Sequence, residues 1–258
     1  MRILFIGDIV GRAGRDVTRR FLDSEQLDAD LIVANAENAA GGVGLTREVA
    51  DELFSYGIDL LTLGNHAFDK RDVLEFIDDE HRLVRPFNYP PGVPGRGFTV
   101  ARARNGVPVG VINLMGRVFN ILQLDCPFRT ADRALAELRE ECRVILVDHH
   151  AEATSEKQAL GYYLDGRVSA VVGTHTHVAT ADENILPGGT AYITDVGMVG
   201  AGCSVIGVRK ELVIERFLTQ LPVRFEVARG PASLSAVWLE IDSETGKALS
   251  IQRLRYSE

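Results

Sequence analysis

Three short apolar runs near the start of the chain each stop at a polar residue, and the stops recur at almost constant spacing. Residues 2–6 close at Gly7-Asp8, residues 31–34 at Asn35-Ala36-Glu37-Asn38, and residues 58–63 at Gly64-Asn65-His66, so Asp8, Glu37 and Asn65 stand 29 and 28 residues apart. Helix-like patterns fill the gaps. One covers about 15–22, another follows a glycine loop and begins after Thr46, a good N-cap with Val49 as the next apolar position, and a third covers about 70–78. One strand–loop–helix unit fits each interval, and parallel strands joined by right-handed crossovers bring their C-terminal ends to one edge of a sheet. The spacing predicts an α/β fold whose polar strand ends share that edge.

The pattern returns further along. The run at 168–172 stops at Gly173 and is followed by Thr174-His175-Thr176-His177; in an extended backbone the two imidazoles of a His-x-His face one way, on a rigid mount. A strand at 143–147 ends in Asp148-His149-His150. If residues 146–150 stay extended, His149 and His150 point to opposite faces and one of them alone joins a site at the edge. Between these blocks, residues 84–95 form a proline-glycine loop that no helix crosses, and 98–102 with 107–114, joined by Asn105-Gly106, read as an antiparallel hairpin. Residues 115–129 carry Val118, Phe119, Ile121, Leu122, Leu124 and Phe128 without periodicity, which fits a lid, an oligomer contact or plain packing against the body of the protein. Helices are expected at 131–142 and 155–163, a strand at 190–194, and tail strands at 223–228, 235–241 and 248–254 that extend or face the first sheet. No linker, repeat or low-complexity tract interrupts residues 1–258, so one domain is expected.

Composition closes off several functions. A net charge of −8 argues against a general nucleic-acid coat or an anionic membrane surface, both of which need clustered Lys and Arg. No apolar run approaches a membrane span, and the N-terminal stretch turns acidic at Asp8, too soon for a signal peptide. Cys126, Cys142 and Cys203 are odd in number, far apart and in no Cys-x-x-Cys pair, so reduced thiols in a cytoplasmic protein are expected rather than disulfides or a thiolate zinc site.

The polar residues at strand ends are Asp8, Glu37, Asn38, Asn65, His66, His150, His175 and His177: carboxylate, amide and imidazole. Each has an ordinary use. Asp8 could cap a helix, Asn38 and Asn65 could shape turns, and His66 could be a satisfied core histidine. Together, at the edge where open α/β sheets bind ligands, they form an oxygen and nitrogen set suited to Mn, Fe or Zn and too large for one ion. Two ions sharing one carboxylate is the economical interpretation.

These residues resemble the calcineurin-like metallophosphoesterases, and within them the bacterial YmdB-like phosphodiesterases. The wider pattern is matched by Gly7-Asp8, Glu37-Asn38, Gly64-Asn65-His66, His150 and His175-Thr176-His177. The narrower one is matched along almost the whole chain, including Ala36-Glu37-Asn38-Ala39-Ala40 and His150-Ala151-Glu152-Ala153-Thr154-Ser155-Glu156-Lys157. Val10 in place of a histidine ligand, Glu37 for the usual bridging Asp, Ala67 where Glu is common, and Thr174 before the histidines depart from the wider pattern and agree with the narrower one.

The resemblance implies a layered sandwich of mixed β-sheets flanked by helices. It implies two divalent or transition metal ions, Fe or Mn favoured over Zn. Glu37 would bridge them, with Asp8, Asn38 and His177 on one ion and Asn65, His150 and His175 on the other, and His66 left to act as general acid; His149 falls to packing. The activity it implies is hydrolysis of phosphodiesters by a hydroxide held between the ions, with 2′,3′-cyclic nucleotides the expected substrates. A phosphomonoesterase or RNA nuclease on the same site, or a metal-stabilised regulatory module with incidental turnover, are the competing readings. A homo-oligomer is compatible with the sequence.

Overall fold

The computed structural model describes residues 1–24 and 27–257, and the two intervals between Asp8, Glu37 and Asn65 fold as the spacing requires. β1 (Arg2–Ile6) runs through the two-residue β2 (Asp8–Ile9) into α1 (Gly11–Ser24), and β3 (Leu31–Asn35) leads through a glycine loop into α2 (Arg47–Ser55). Thr46 caps α2, its hydroxyl accepting from the Val49 amide at 3.3 Å. β4 (Leu60–Thr62) is followed by β5 (Leu83–Val84). These strands pair in parallel, with Ile3 opposite Leu31, Val33 opposite Leu60 and Leu61 opposite Leu83.

The middle of the chain builds a second sheet. β6 (Phe98–Arg102) and β7 (Pro108–Met115) form the antiparallel hairpin; α3 (Pro127–Leu138), β8 (Val144–His150), α4 (Thr154–Leu164) and β9 (Ala170–Thr174) follow. β10 (Asn184–Ile185) and β11 (Ala191–Ile193) complete the strand order β10-β11-β9-β8-β7-β6. The chain then returns to the first sheet through β12 (Met198–Ala201), α5 (Lys210–Thr219), β13 (Ala232–Ile241) and β14 (Ala248–Ser257). β13 lies antiparallel to β1, which gives the order β2-β12-β13-β1-β3-β4-β5 with β14 on the far side of β13.

Strand alternation sorts the apolar side chains into layers. Ile3 and Phe5 of β1 and Val33 of β3 meet Val144 and Leu146 of β8 and Val172 of β9 between the sheets. Leu4 and Ile6 turn the other way, onto Val17 and Phe21 of α1 and Leu53 of α2. Across the molecule, Ile145 and Val147 of β8 pack on Leu135 of α3 and Leu160 of α4. The result is helices, sheet, sheet, helices, in which each fully buried Leu, Ile or Phe contributes roughly 1.5–3 kcal/mol. This is the α/β sandwich of mixed sheets flanked by helices that the resemblance implied.

Several local expectations shift. The pattern at 70–78 is a 3-10 turn at Arg71–Glu75 rather than an α-helix, with Val73, Phe76 and Ile77 buried. α3 starts at Pro127, a residue that suits the first helical turn, rather than at 131. β8 stays extended through His150. The expected strand at 223–228 reduces to one isolated bridge between Val208 and Val227. α5 was not anticipated, because its apolar residues face solvent and only Val213 is buried.

Gly173 shows how tightly the edge is built. A Cβ there would sit 1.7 Å from the Thr194 carbonyl oxygen, where the chain leaving β11 crosses β9. Gly173→Ala is expected to lose on the order of 1–3 kcal/mol or more of stability through overpacking, measured as a lower urea midpoint. An unchanged midpoint would mean the two segments are not in contact in solution.

Candidate metal centre

The C-terminal ends of β1, β3, β4, β8 and β9 lie along one edge of the sandwich, and the structure brings every polar residue singled out there toward one centre. Asp8, Glu37, Asn38 and His150 are buried, while His66, His175 and His177 line its open side. His150 Nε2 is the hub. Glu37 Oε1, Asn65 Oδ1 and His175 Nδ1 each stand 3.0 Å from it. Bonds of about 2.1 Å at right angles place neighbouring ligand atoms about 3.0 Å apart, so these separations fit a shared cation.

Hydrogen bonds on the far sides of the rings set their tautomers. His150 Nδ1 lies 2.9 Å from Thr174 Oγ1, and that hydroxyl donates onward to Asp148 Oδ1 at 2.7 Å. His175 Nε2 lies 3.2 Å from Glu152 Oε2, and His177 Nδ1 lies 2.9 Å from the Ile206 carbonyl oxygen. Each outer nitrogen thus has an oxygen partner, and His150 Nε2, His175 Nδ1 and His177 Nε2 are the ring atoms turned toward the centre. His150 Nε2 and His175 Nδ1 face each other at 3.0 Å, a separation that one cation held between them, proton or metal, satisfies.

The second half of the set lies beyond Asp8. Asn38 donates its amide NH₂ to the Gly42 carbonyl at 3.1 Å and presents Oδ1 to His177 Nε2 at 3.3 Å. Asp8 Oδ2 accepts the His175 backbone amide at 3.2 Å, while among the described residues Oδ1 is buried without a hydrogen-bond partner. An unsatisfied buried carboxylate oxygen among lone-pair donors suits a metal ligand. Burial pushes the Asp8 carboxyl up to about 6, against the pull of His177 and His150. Burial also works against the charged forms of Glu37 and His150, but their mutual attraction wins and takes Glu37 down to about 2 and His150 up to about 9. Burial and the neighbouring His150 charge take His175 down to about 3, the neutral form a ligand needs.

The His-x-His does not behave as an extended pair. Both histidines lie past the end of β9 at positive φ, 98° for His175 and 64° for His177, and they turn apart: His175 toward His150, His177 toward Asn38. Ile206, whose carbonyl accepts the hydrogen bond from His177 Nδ1, is also at positive φ, 47°. A buried ion pair holds this loop. Lys157 Nζ lies 2.6 Å from Asp195 Oδ2 and 2.7 Å from the Thr174 carbonyl, and the same Asp195 oxygen accepts the amide and hydroxyl of Thr176 at 3.1 and 2.8 Å.

His66 stands at the cleft wall rather than in the hub. Its backbone amide donates to Glu37 Oε2 at 2.9 Å, and its Nδ1 pairs with Asp69 Oδ2 at 2.7 Å.

A family model described as YmdB-like protein matches residues 4–254. The chain belongs to the YmdB-like family. A Bacillus subtilis relative named 2′,3′-cyclic-nucleotide 2′-phosphodiesterase is 52% identical over 98% of this chain and 96% of its own length. A crystal structure of a hypothetical protein from Thermus thermophilus superposes with a TM-score of 0.94 at 46% identity, covering 100% of both chains. A novel phosphatase from Mycoplasma pneumoniae superposes with a TM-score of 0.93 at 34% identity, over 100% of this chain and 93% of its own.

In this YmdB-like chain, sequence reasoning passed over the residues that support the ligand set. Asp148 stands two residues before His150 on the same strand and so shares its face, a signal alternation could have supplied. It accepts from Thr174 at 2.7 Å and from Asn35 Nδ2 at 3.1 Å. Lys157, Asp195 and Glu152 lie in no periodic register with the ligands. His149 does point away, as alternation requires: it is fully buried, neither ring nitrogen has a hydrogen-bond partner among the described residues, and burial with nearby Lys157 takes it down to about 3.

Opposite outcomes are expected at the two neighbours. His149→Leu removes unsatisfied polar atoms, each worth about 1–3 kcal/mol when buried, and should hold or raise the urea midpoint with metal content intact. His150→Ala should lose metal. Elemental analysis beside urea unfolding reads both, and metal loss in His149→Leu would reassign the ligand.

Proposed function

We propose that this chain is a two-metal phosphodiesterase that opens 2′,3′-cyclic nucleotides, with residues 1–258 working as one domain. The observation that carries the metal reading is the convergence of Glu37 Oε1, His150 Nε2 and His175 Nδ1, with the carboxylate oxygen and the His175 nitrogen each 3.0 Å from His150 Nε2. The substrate class is supported by the relative named 2′,3′-cyclic-nucleotide 2′-phosphodiesterase, which matches almost the whole chain. Glu37 would be shared, with Asp8, Asn38 and His177 on one ion and Asn65, His150 and His175 on the other. A nitrogen and oxygen set without thiolate suits Fe or Mn. The three free thiols, Cys126, Cys142 and Cys203, suit a reducing compartment such as the cytoplasm.

When bound, the two ions supply Lewis acidity toward the phosphoryl oxygens and a water nucleophile usable at neutral pH. The side chains govern the rest. Asn38 and Asn65 offer neutral oxygens, so two carboxylates, Asp8 and Glu37, stand against two divalent charges, and the centre stays attractive to a phosphate although the chain carries −8. With Nδ1 donating to Asp69 Oδ2 at 2.7 Å, the protonated ring of His66 would present its second N–H, at Nε2, as the transferable proton. As water oxygen bonds to phosphorus and gives up a proton to solvent, the P–O2′ bond breaks and the His66 proton goes to O2′, giving a 2′-hydroxyl and a 3′-phosphate; a proton from solvent then restores the ring.

Glu37→Gln is expected to lose most of the metal and the activity, because a neutral amide bridges poorly and leaves two cations to repel across the site. Elemental analysis of protein purified without added metal, alongside the variant, measures this; a fully active preparation without metal would overturn the two-metal reading. His66→Ala has a different signature. A ribose alkoxide needs a proton to leave and a nitrophenolate does not, so cyclic-nucleotide hydrolysis should slow by roughly 10²–10⁴-fold and a nitrophenyl ester far less. Metal content should stay near that of the unsubstituted protein. Equal losses in kcat/KM on the two esters would instead assign His66 to electrostatic stabilisation of the phosphoryl group.

A further inference from the structure

A cleft of about 380 Å³ opens from the metal centre, and its two halves differ in chemistry. Its floor is polar, with Asn65, His66 and His150; its far wall is the apolar loop that follows β7, with Phe119, Ile121 and Leu122. Phe119 is 86% exposed and Ile121 93% exposed. Leaving a Phe side chain in water forfeits roughly 1.5–3 kcal/mol that burial would return, and here two such side chains stand beside a phosphate-binding floor.

The loop is built to hold them there. The buried Glu156 carboxylate accepts the backbone amides of Arg117 at 3.0 Å and Val118 at 3.1 Å. Asn120 ties the turn from both ends, donating to the Gly116 carbonyl at 2.9 Å and accepting the Leu122 amide at 3.0 Å. Gly116 lets this segment lie against the chain leading into α4, since a Cβ there would fall 2.5 Å from Ala151 Cβ. Phe119 itself is held at a φ of 61°, a backbone strain that other contacts must offset. A ring fixed at a strained position, uncovered, and continuous with a phosphate site has the attributes of a stacking platform.

We propose that this wall is a nucleobase subsite, with the base stacked on the Phe119 ring and flanked by Ile121 while the cyclic phosphate sits on the polar floor. This deepens the phosphodiesterase reading and rests on it for the position of the phosphate. A purine or pyrimidine presents a π-face whatever its hydrogen-bonding edge, so the platform selects for a base without selecting among bases. Ribose is the spacer that carries the base from floor to wall. The fit is therefore to a mononucleotide rather than to a small base-free phosphodiester.

The test compares adenosine 2′,3′-cyclic phosphate with methyl riboside 2′,3′-cyclic phosphate on the metal-loaded protein and on Phe119→Ala. The ratio of kcat/KM for the nucleotide over the base-free ester is expected to fall roughly tenfold in the variant, mainly through KM, the order expected of one lost base–aromatic stack. Phe119→Trp should keep the ratio, and its fluorescence, read against the native Trp238 of β13, should be quenched by adenosine 3′-monophosphate. Equal losses on both esters in Phe119→Ala, or no quenching, would overturn the subsite. A change in oligomeric state with the substrate ratio intact, seen by sedimentation, would give the wall to a second copy of the chain and also overturn it. If the protein turned over neither ester, the phosphodiesterase reading would fall, while quenching of Phe119→Trp by the mononucleotide would still support the base platform.

Discussion

Asp8 and Glu37 end neighbouring parallel strands with 0% and 1% of their surface exposed, and like charges this dry must be matched by positive charge within a few ångströms. Much of the surrounding structure answers that requirement. Three imidazoles point inward, each with its outer nitrogen committed to an acceptor, and two side-chain amides add oxygens without adding charge. Glu37 and His150 already draw each other toward their charged forms, so the polypeptide favours a cation at this point whether it arrives as a proton or as a metal. The site's chemistry thus begins in the pairing of β1 with β3, which fixes the distance between the two carboxylates before any histidine joins them.

A second buried ion pair plays a different part. Lys157 and Asp195 are 0% and 1% exposed, and breaking such a pair leaves an uncompensated charge at a cost of roughly 3–5 kcal/mol. Placed under Thr174 and Thr176, it fixes the backbone from which His175 and His177 project. Asp148 does the same for His150 through Thr174. Thr174 therefore meets both supports, its carbonyl on Lys157 and its hydroxyl on Asp148, and couples the end of β8 to the end of β9.

The fold and the cluster of polar residues at the candidate site were legible because both rest on strand ends, where apolar runs stop at polar residues and the period of two is strict. That only one of His149 and His150 faces the site followed from that alternation, with the family resemblance selecting His150, and Asp8, Glu37 and Asn65 followed from the interval of one crossover unit. The supports were not legible. Lys157 comes from the buried face of a helix, Asp195 from a loop after β11, and Ile206 supplies a carbonyl, so no periodicity links them to the histidines. α5 escaped for the opposite reason: Ile214, Phe217 and Leu218 stand exposed, and a helix whose apolar residues are not buried gives no pattern that packing would explain.

The His-x-His shows where strand logic stops. Alternation would have turned both rings to one side and given the pair to one position, yet the backbone leaves the extended region and the rings diverge. Two non-glycine residues at positive φ, with β-branched Ile206 a third nearby, cost on the order of 1–3 kcal/mol each. No saving in apolar burial is evident at these partly exposed residues, so the strain is offset by what holds the loop: the Lys157–Asp195 pair, the Asp8 carboxylate on the His175 amide, and any cation the imidazoles share. The strain is what lets a three-residue motif reach both halves of the centre, one ring to His150 and the other to Asn38. A relaxed strand end would have turned both rings to one place, not one ring to His150 and the other to Asn38.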